Sequence, residues 1–272
     1  MGVLKEIYVR RNLIRELVAK DLKARYLRPV LGFFWAFLSP LLIVGIFYLV
    51  FSVLLKVKTQ EAPFILYLMS GVFSWKFFQD SLMSSVSSLI DNKNLIRESN
   101  FPHYLIPMSI VLANGINFLP SLAILVITAL LALKGLPVFF LLLPVVLAVH
   151  VGLAIGLSII LSIAYVRWRD TRYILDAVLL VLFYLTPAFY SIFLVKDSFP
   201  SFWYKLYIYN PLVGILNLYR SATLRGFYSL IKEVAGLPGL IAAPVIFAIT
   251  ILVFAFYFYK RNKSTINDYL AY

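Results

Sequence analysis

Residues 31–55 read LGFFWAFLSPLLIVGIFYLVFSVLL, twenty-five positions without a charge. A bilayer core of ~30 Å is crossed by about 20 apolar residues in a helix, and this run has that length. It does not stand alone. Tyr104–Leu133, Ala177–Val195 and Leu237–Tyr259 are equally free of charge, and Gly135–Val166 carries only His150. Pro63–Ile90 is long enough but is interrupted by Lys76 and Asp80. The whole chain of 272 residues is 62% hydrophobic and 14% charged, with a mean hydropathy of +0.91. Soluble domains are about 45–50% apolar and about 25% charged, so no water-soluble fold hides this much apolar surface. Long continuous runs favour helices over a β-barrel, whose segments alternate. The chain reads as an all-α integral membrane protein with six transmembrane helices, at about 31–55, 63–90, 104–133, 137–165, 174–195 and 237–259.

The excess of Lys and Arg, 25 against 12 acids, reads as a record of topology and of contact with anionic lipid, not of nucleic acid. Lys5, Arg10, Arg11, Arg15, Lys20, Lys23, Arg25 and Arg28 precede the first span. Lys93 and Arg97 follow the second, Arg167, Arg169 and Arg172 the fourth, and Lys260, Arg261 and Lys263 the last. Both termini are therefore expected on the cytoplasmic side. Residues 1–29 do not read as a cleavable signal. Leu4, Ile7, Ile14, Leu17, Val18 and Leu22 recur at helical spacing between charges, which predicts an amphipathic helix lying in the interface. Residues 30–259 form the transmembrane domain, and 260–272 a cytoplasmic tail.

The segment 198–230, between spans five and six, is rich in aromatics. Its apolar stretch Leu212–Leu224 is too short to cross and more apolar than a solvated loop, which predicts short re-entrant helices. Asn210-Pro211 marks the break between two of them.

The absences narrow the chemistry. There is no Cys and there are only two His, which excludes disulfides, thiolate metal sites and a His-based metal cluster. No Gly-rich phosphate loop ending in Lys-Ser/Thr occurs, so ATP is not bound here by that route. Ionisable groups deep in a span are limited to Lys76, Asp80 and His150. Lys76 and Asp80, four apart on one helix face, either neutralise each other or line a substrate path. His150 reads as a hydrogen-bonded packing residue. A chain that moves a solute with so few internal charges draws its energy from another subunit.

Several short motifs occur in order along the chain: Lys20-Asp21-Leu22-Lys23-Ala24-Arg25-Tyr26, Val30-Leu31-Gly32-Phe33-Phe34-Trp35, Ser39-Pro40-Leu41, Asn92-Lys93-Asn94-Leu95-Ile96, Phe101-Pro102, Trp168-Arg169-Asp170, Thr186-Pro187 and Asn210-Pro211-Leu212 with Arg220. In this order they resemble the membrane subunit of ABC-2 type polysaccharide exporters, the branch that exports O-antigen, capsule or teichoic acid. His103 departs from the basic residue usual after Phe-Pro, and the family offers no role for Lys76 and Asp80.

The resemblance implies a homodimer of non-enzymatic, multi-pass subunits in a bacterial cytoplasmic (inner) membrane. Two copies of a cytoplasmic ABC ATPase would bind ATP and Mg, with no cofactor in this chain, and the substrate would be a lipid-linked glycan. Asn94, Leu95, Arg97, Glu98, Phe101 and Pro102 would form the coupling segment that meets the ATPase. Sugar rings pack their C–H faces on aromatic rings and hydrogen-bond to Tyr hydroxyls. Phe33, Phe34, Trp35, Phe37 and Tyr48 of span one and Phe183, Tyr184, Phe189 and Tyr190 of span five are candidates for such a path. For Phe33–Phe37 an interfacial aromatic belt is an equal explanation. Asn210, Pro211, Tyr219 and Arg220 would form a re-entrant gate, with Arg220 meeting either a diphosphate linker or a lipid phosphate. An ABC-2 permease for a small lipid or drug, and a membrane-embedded glycosyl- or acyltransferase, are the alternatives; the second should show clustered Asp, Glu or His at a membrane face.

Overall fold

The computed structural model describes residues 3–26, 34–56, 63–98, 101–135 and 137–271, and helices are the only regular structure among them. The expected path residue Phe33 lies outside the described residues. Helices α1 (Val3–Val9) and α2 (Arg11–Tyr26) precede α3 (Trp35–Tyr48), which continues through a wider turn to Leu54. Then come α4 (Phe64–Ser85), the short α5 (Ser88–Asp91) and α6 (Lys93–Glu98), and the long α7 (Leu105–Leu133) and α8 (Leu143–Arg167). The second half holds α9 (Thr171–Leu185), α10 (Ile192–Ser198), α11 (Ser201–Ile208), α12 (Pro211–Thr223), α13 (Phe227–Leu237) and α14 (Ala243–Ala271).

Among the described residues, four helices are long and apolar enough to cross a membrane: Trp35–Leu54, Leu105–Leu133, Val138–Arg167 and Gly239–Lys263. The other two expected spans differ from these for separate reasons. Helix α4 has the length, at 22 residues, but carries Lys76, Gln79, Asp80 and a series of serines. It is the hub of the bundle, packed against α3, α7, α8, α9 and α12. Only Ile65, Lys76, Gln79, Asp80, Met83 and Ser84 escape burial along it. Because protein surrounds it, most of its buried serines bond back to its own carbonyls, the Ser81 hydroxyl excepted. The Ser70 hydroxyl donates to the Tyr67 carbonyl at 2.8 Å, Ser74 to Ser70 at 2.7 Å and Ser85 to Ser81 at 2.6 Å.

The expected fifth span, 174–195, is two helices. Helix α9 stops after fifteen residues at Thr186, which is extended (φ −104°, ψ 150°), and α10 begins at Ile192. Pro187 has no N–H to continue the ladder, and its ring disfavours the helical conformation at the residue before it. The segment after it is helical, with α11 largely exposed and α12 buried. Asn210 caps α12, its Oδ1 accepting from the Leu212 N–H at 2.9 Å, with Pro211 in the first turn. Every residue of α12 except Pro211 and Leu218 is buried. At the C-terminus α14 runs on through Ala271, so the residues expected as a separate tail continue the last helix.

The amphipathic stripe of α2 is spent on protein. Ile14 and Leu17 are buried and the helix packs on α7, while Arg11, Arg15 and Lys23 stay exposed. Helices α8 and α14 pack extensively on one another, and Gly156 permits it. A methyl group there would stand 2.8 Å from Ile251 Cγ2 and 3.1 Å from the Leu252 Cα. Gly152, one turn earlier on α8, has nothing within 4 Å of that position. Gly156→Leu is therefore expected to cost more than the ~1–3 kcal/mol typical of overpacking. Gly152→Ala should be neutral or stabilising by up to about 1 kcal/mol through helix propensity. Thermal unfolding of the two purified variants in the same membrane mimetic checks the order.

Candidate functional site

Helices α3 and α9 meet through aromatic rings. Phe47 and Phe51, one turn apart on α3, stack at 5.9 Å. Phe47 touches Phe183 at 5.9 Å and Phe189 at 5.6 Å, and Phe51 touches Phe189 at 5.2 Å. Trp75 of α4 joins the same cluster through Phe183 at 5.6 Å. Tyr184 and Tyr190 flank Phe189 at 5.8 and 5.2 Å. The rings bridge the first membrane helix and the broken helix after α8, with α4 as the floor.

The break that carries Phe189 and Tyr190 is held by Arg220. Its side chain is fully buried, at 0% exposure. Nη2 donates to the carbonyl of Pro187 and, at 3.2 Å, to that of Ala188. Nη1 reaches Asn217 Oδ1 at 3.5 Å, and the guanidinium lies 3.5 Å over the Tyr67 ring. The Tyr67 hydroxyl in turn donates to the Tyr190 carbonyl at 2.9 Å, and the Thr186 hydroxyl to the Phe183 carbonyl at 3.2 Å. Gly71 of α4 lets the strand of backbone approach this closely: a methyl there would run into the Ala188 carbonyl and stand 2.8 Å from Arg220 Nη2. Tyr219, next to Arg220, meets His150 Nδ1 through its hydroxyl at 3.4 Å. His150 is itself buried, with Phe77 edge-on at 4.8 Å.

At the other end of α4, α5 and α6 form a short connection. Asn94, Arg97 and Glu98 are exposed, whereas Ile96, Phe101 and Pro102 are buried. The first helices grip this connection on both sides: Lys20 donates to Asn92 Oδ1 at 2.8 Å, and the Tyr104 hydroxyl to Glu6 at 3.0 Å. Burial and the Glu6 carboxylate push the Tyr104 hydroxyl pKa up. His103 is also buried, its backbone N–H donating to the Tyr259 hydroxyl at 3.0 Å. Burial, and then the Lys263 charge, hold its imidazole below the ordinary histidine value.

This arrangement of helices meets a matching sequence profile. The model of the ABC-2 type transporter family matches residues 12–224. The chain belongs to that family. It is 30% identical over 220 residues, 80% of its length and 83% of the relative's, to the O-antigen export system permease protein RfbA of Myxococcus xanthus. A Klebsiella pneumoniae protein of the same name is 31% identical over 218 residues, 79% of this chain and 81% of that one.

Among the residues singled out from sequence in this ABC-2 chain, Phe183, Tyr184, Phe189 and Tyr190 come together as one cluster. Phe34, Trp35 and Tyr48 do not join it: all three are exposed, and Trp35 lines a separate cavity with Lys76 and Asp80. The span-one partners are instead Phe47 and Phe51, whose i, i+4 spacing was the available signal. Nothing in the sequence marks Gly71, Tyr67 or Trp75. Arg220, expected to meet a phosphate, has its Nη2 on the Pro187 and Ala188 carbonyls and its Nη1 on Asn217. Phe101 and Pro102 are not presented to a partner surface; being apolar, they are packed into the core.

Arg220→Met should orphan the two carbonyls at about 1–3 kcal/mol each. Arg220→Lys, a point charge without the planar fork, should fall between it and the parent protein. Melting temperatures of the purified variants test that order. For His103, the unfolded chain takes up a proton before the folded one as pH falls below about 6.5. Stability from this group is thus full above that pH and is lost toward pH 5. Melting temperatures should fall over that window, and His103→Gln should flatten part of the fall.

Proposed function

We propose that this chain is the membrane subunit of an ATP-driven exporter that carries a lipid-linked, O-antigen-like polysaccharide across the bacterial cytoplasmic membrane. The family match and the relatives named for O-antigen export support the substrate class. The observation that carries the mechanism is the aromatic cluster between α3 and α9. Its rings pack on one another at 5–6 Å across α3, α4 and the region of the break, and when they part they offer a glycan a succession of similar faces, so sugar units slide between equivalent contacts instead of settling in one deep site. The break at Thr186–Ser191 frees the Phe189 and Tyr190 end of the path from a continuous helix.

In this reading two subunits form a homodimer with six crossings each, counting α4 and the α9–α10 pair with the four apolar helices. Both termini are cytoplasmic. A separate ATPase binds ATP and Mg and pushes on α5–α6 through the exposed Asn94, Arg97 and Glu98. Buried Phe101 and Pro102 transmit that push into α7, and α2 and α1 are moved with it through the Lys20–Asn92 and Tyr104–Glu6 hydrogen bonds. The chain itself performs no chemistry.

Export is tested in cells that assemble the glycan and carry the cognate ATPase but lack their own permease, by measuring glycan at the cell surface. Surface glycan should depend on both this chain and ATP hydrolysis by the partner. Its absence despite membrane insertion and a copurifying ATPase would refute the substrate assignment. Glu98→Lys should cut export at least tenfold with the melting temperature unchanged. Phe101→Ala should lose export together with about 3–5 kcal/mol of stability, the usual cost of emptying a buried phenylalanine site. Alanine at Phe183 or Phe189 should slow export more than at Phe34.

A further inference from the structure

A second site lies outside the aromatic path. The end of α2, the start of α3 and the middle turns of α4 and α7 line a cavity of about 240 Å³ that none of Phe47, Phe51, Phe183 and Phe189 lines. Its lining interleaves two kinds of group, the aromatic rings of Trp35, Phe73, Phe77 and Phe118 and the polar side chains of Lys76, Asp80, Asn117 and Arg25. Lys76, Gln79 and Asp80 escape burial on α4 together with Met83 and Ser84, so one stripe of an otherwise largely buried helix is left open.

The arrangement excludes two ligand classes. A phosphate would meet cations already committed: Arg25 pairs with Asp21 at 2.9 Å and Lys76 with Asp80 at 3.0 Å, and the Asp80 carboxylate would repel it. An acyl chain would strip water from charged groups and return nothing to them. A ring with an apolar face and a rim of hydroxyls satisfies both kinds of group. The side chains of Lys76 and Asp80 remain 31% and 46% exposed. An ammonium has three donors and a carboxylate accepts about four hydrogen bonds, so their mutual pair leaves capacity for hydroxyl groups. Asn117 is held in place by the Tyr26 hydroxyl at 2.9 Å and Asn114 by Arg25 at 2.6 Å, which preorganises the polar groups. The volume is below the ~300–1,000 Å³ of pockets for drug-sized ligands, which suits one ring and not a chain.

We propose that this cavity is a binding site for a single hexopyranose ring, separate from the aromatic path, where the permease reads one sugar unit of its substrate. The last clause rests on the glycan-export reading; the sugar site itself does not. Lys76 and Asp80 supply the hydrogen bonds to ring hydroxyls, and the exposed Trp35 supplies the stacking surface.

The test uses the permease purified with its ATPase in nanodiscs free of sugar-based detergent. Saturation-transfer NMR is run with the methyl glycosides of glucose, mannose, galactose and N-acetylglucosamine, and with mannitol as an acyclic control. At least one glycoside should bind and mannitol should not. The double variant Lys76→Met/Asp80→Leu, which keeps an unstrained helix, should weaken that glycoside at least tenfold, as should Asn117→Ala. Gly152→Ala, in open space on α8, should bind as the parent does, and melting temperatures report whether each variant is folded. Binding of every glycoside no better than mannitol, or equal binding by the folded double variant, overturns the site. Surface export that persists in that case leaves the exporter reading standing. Glycoside binding that depends on Asp80 in a protein that exports no glycan would support the site and remove the exporter reading.

Discussion

The arrangement of this bundle turns on a guanidinium with no water around it. Burying a charge costs several kcal/mol unless hydrogen bonds replace its hydration. Arg220 meets that condition with carbonyl oxygens that would otherwise be exposed by the helix break at Thr186–Ser191. Each problem solves the other. The broken helix has carbonyls without donors, and the inserted α12 has a cation without water. The Tyr67 ring closes the arrangement from α4, and its hydroxyl takes a further carbonyl of the same break. Three elements distant in sequence are thereby fixed at one point, and the aromatic cluster is positioned by that point because Phe189 and Tyr190 ride on the break.

The same accounting explains why the central helix is the polar one. A helix against lipid must satisfy its own backbone and carry few charges. A helix surrounded by five others exchanges that limit for a packing limit. Helix α4 therefore holds serines bonded back to its own carbonyls, a glycine where Ala188 and Arg220 press close, and an ion pair on the one stripe that faces a cavity. Its modest hydropathy reflects its position inside the bundle.

Much of the architecture was legible without coordinates. Charge-free runs located the four apolar helices, since hydropathy over twenty residues is a property of composition. Thr186-Pro187 and Asn210-Pro211 marked a break and a helix start for local reasons, the missing N–H and the restricted preceding residue. The family resemblance was carried by motifs that stand in order along the chain. The aromatic cluster was half legible: the α9 rings lie close together in sequence, but their partners Phe47 and Phe51 are one choice among many aromatics on α3.

The sequence alone determined a helical membrane protein, the position of its apolar helices, its punctuation by proline, and the absence of a nucleotide site of the phosphate-loop kind. These follow from local chemistry, read one window at a time. The tertiary structure alone decided that Arg220 faces inward, that the stripe of α2 lies on α7, that Phe101 is packed into the core, and that Trp35 shares a cavity with Lys76 and Asp80. The reason is that a side chain's partner across a bundle is set by which helix faces meet. That is a global packing outcome, and neither the cation of Arg220 nor the ring of Trp35 carries a local sign of what it will touch.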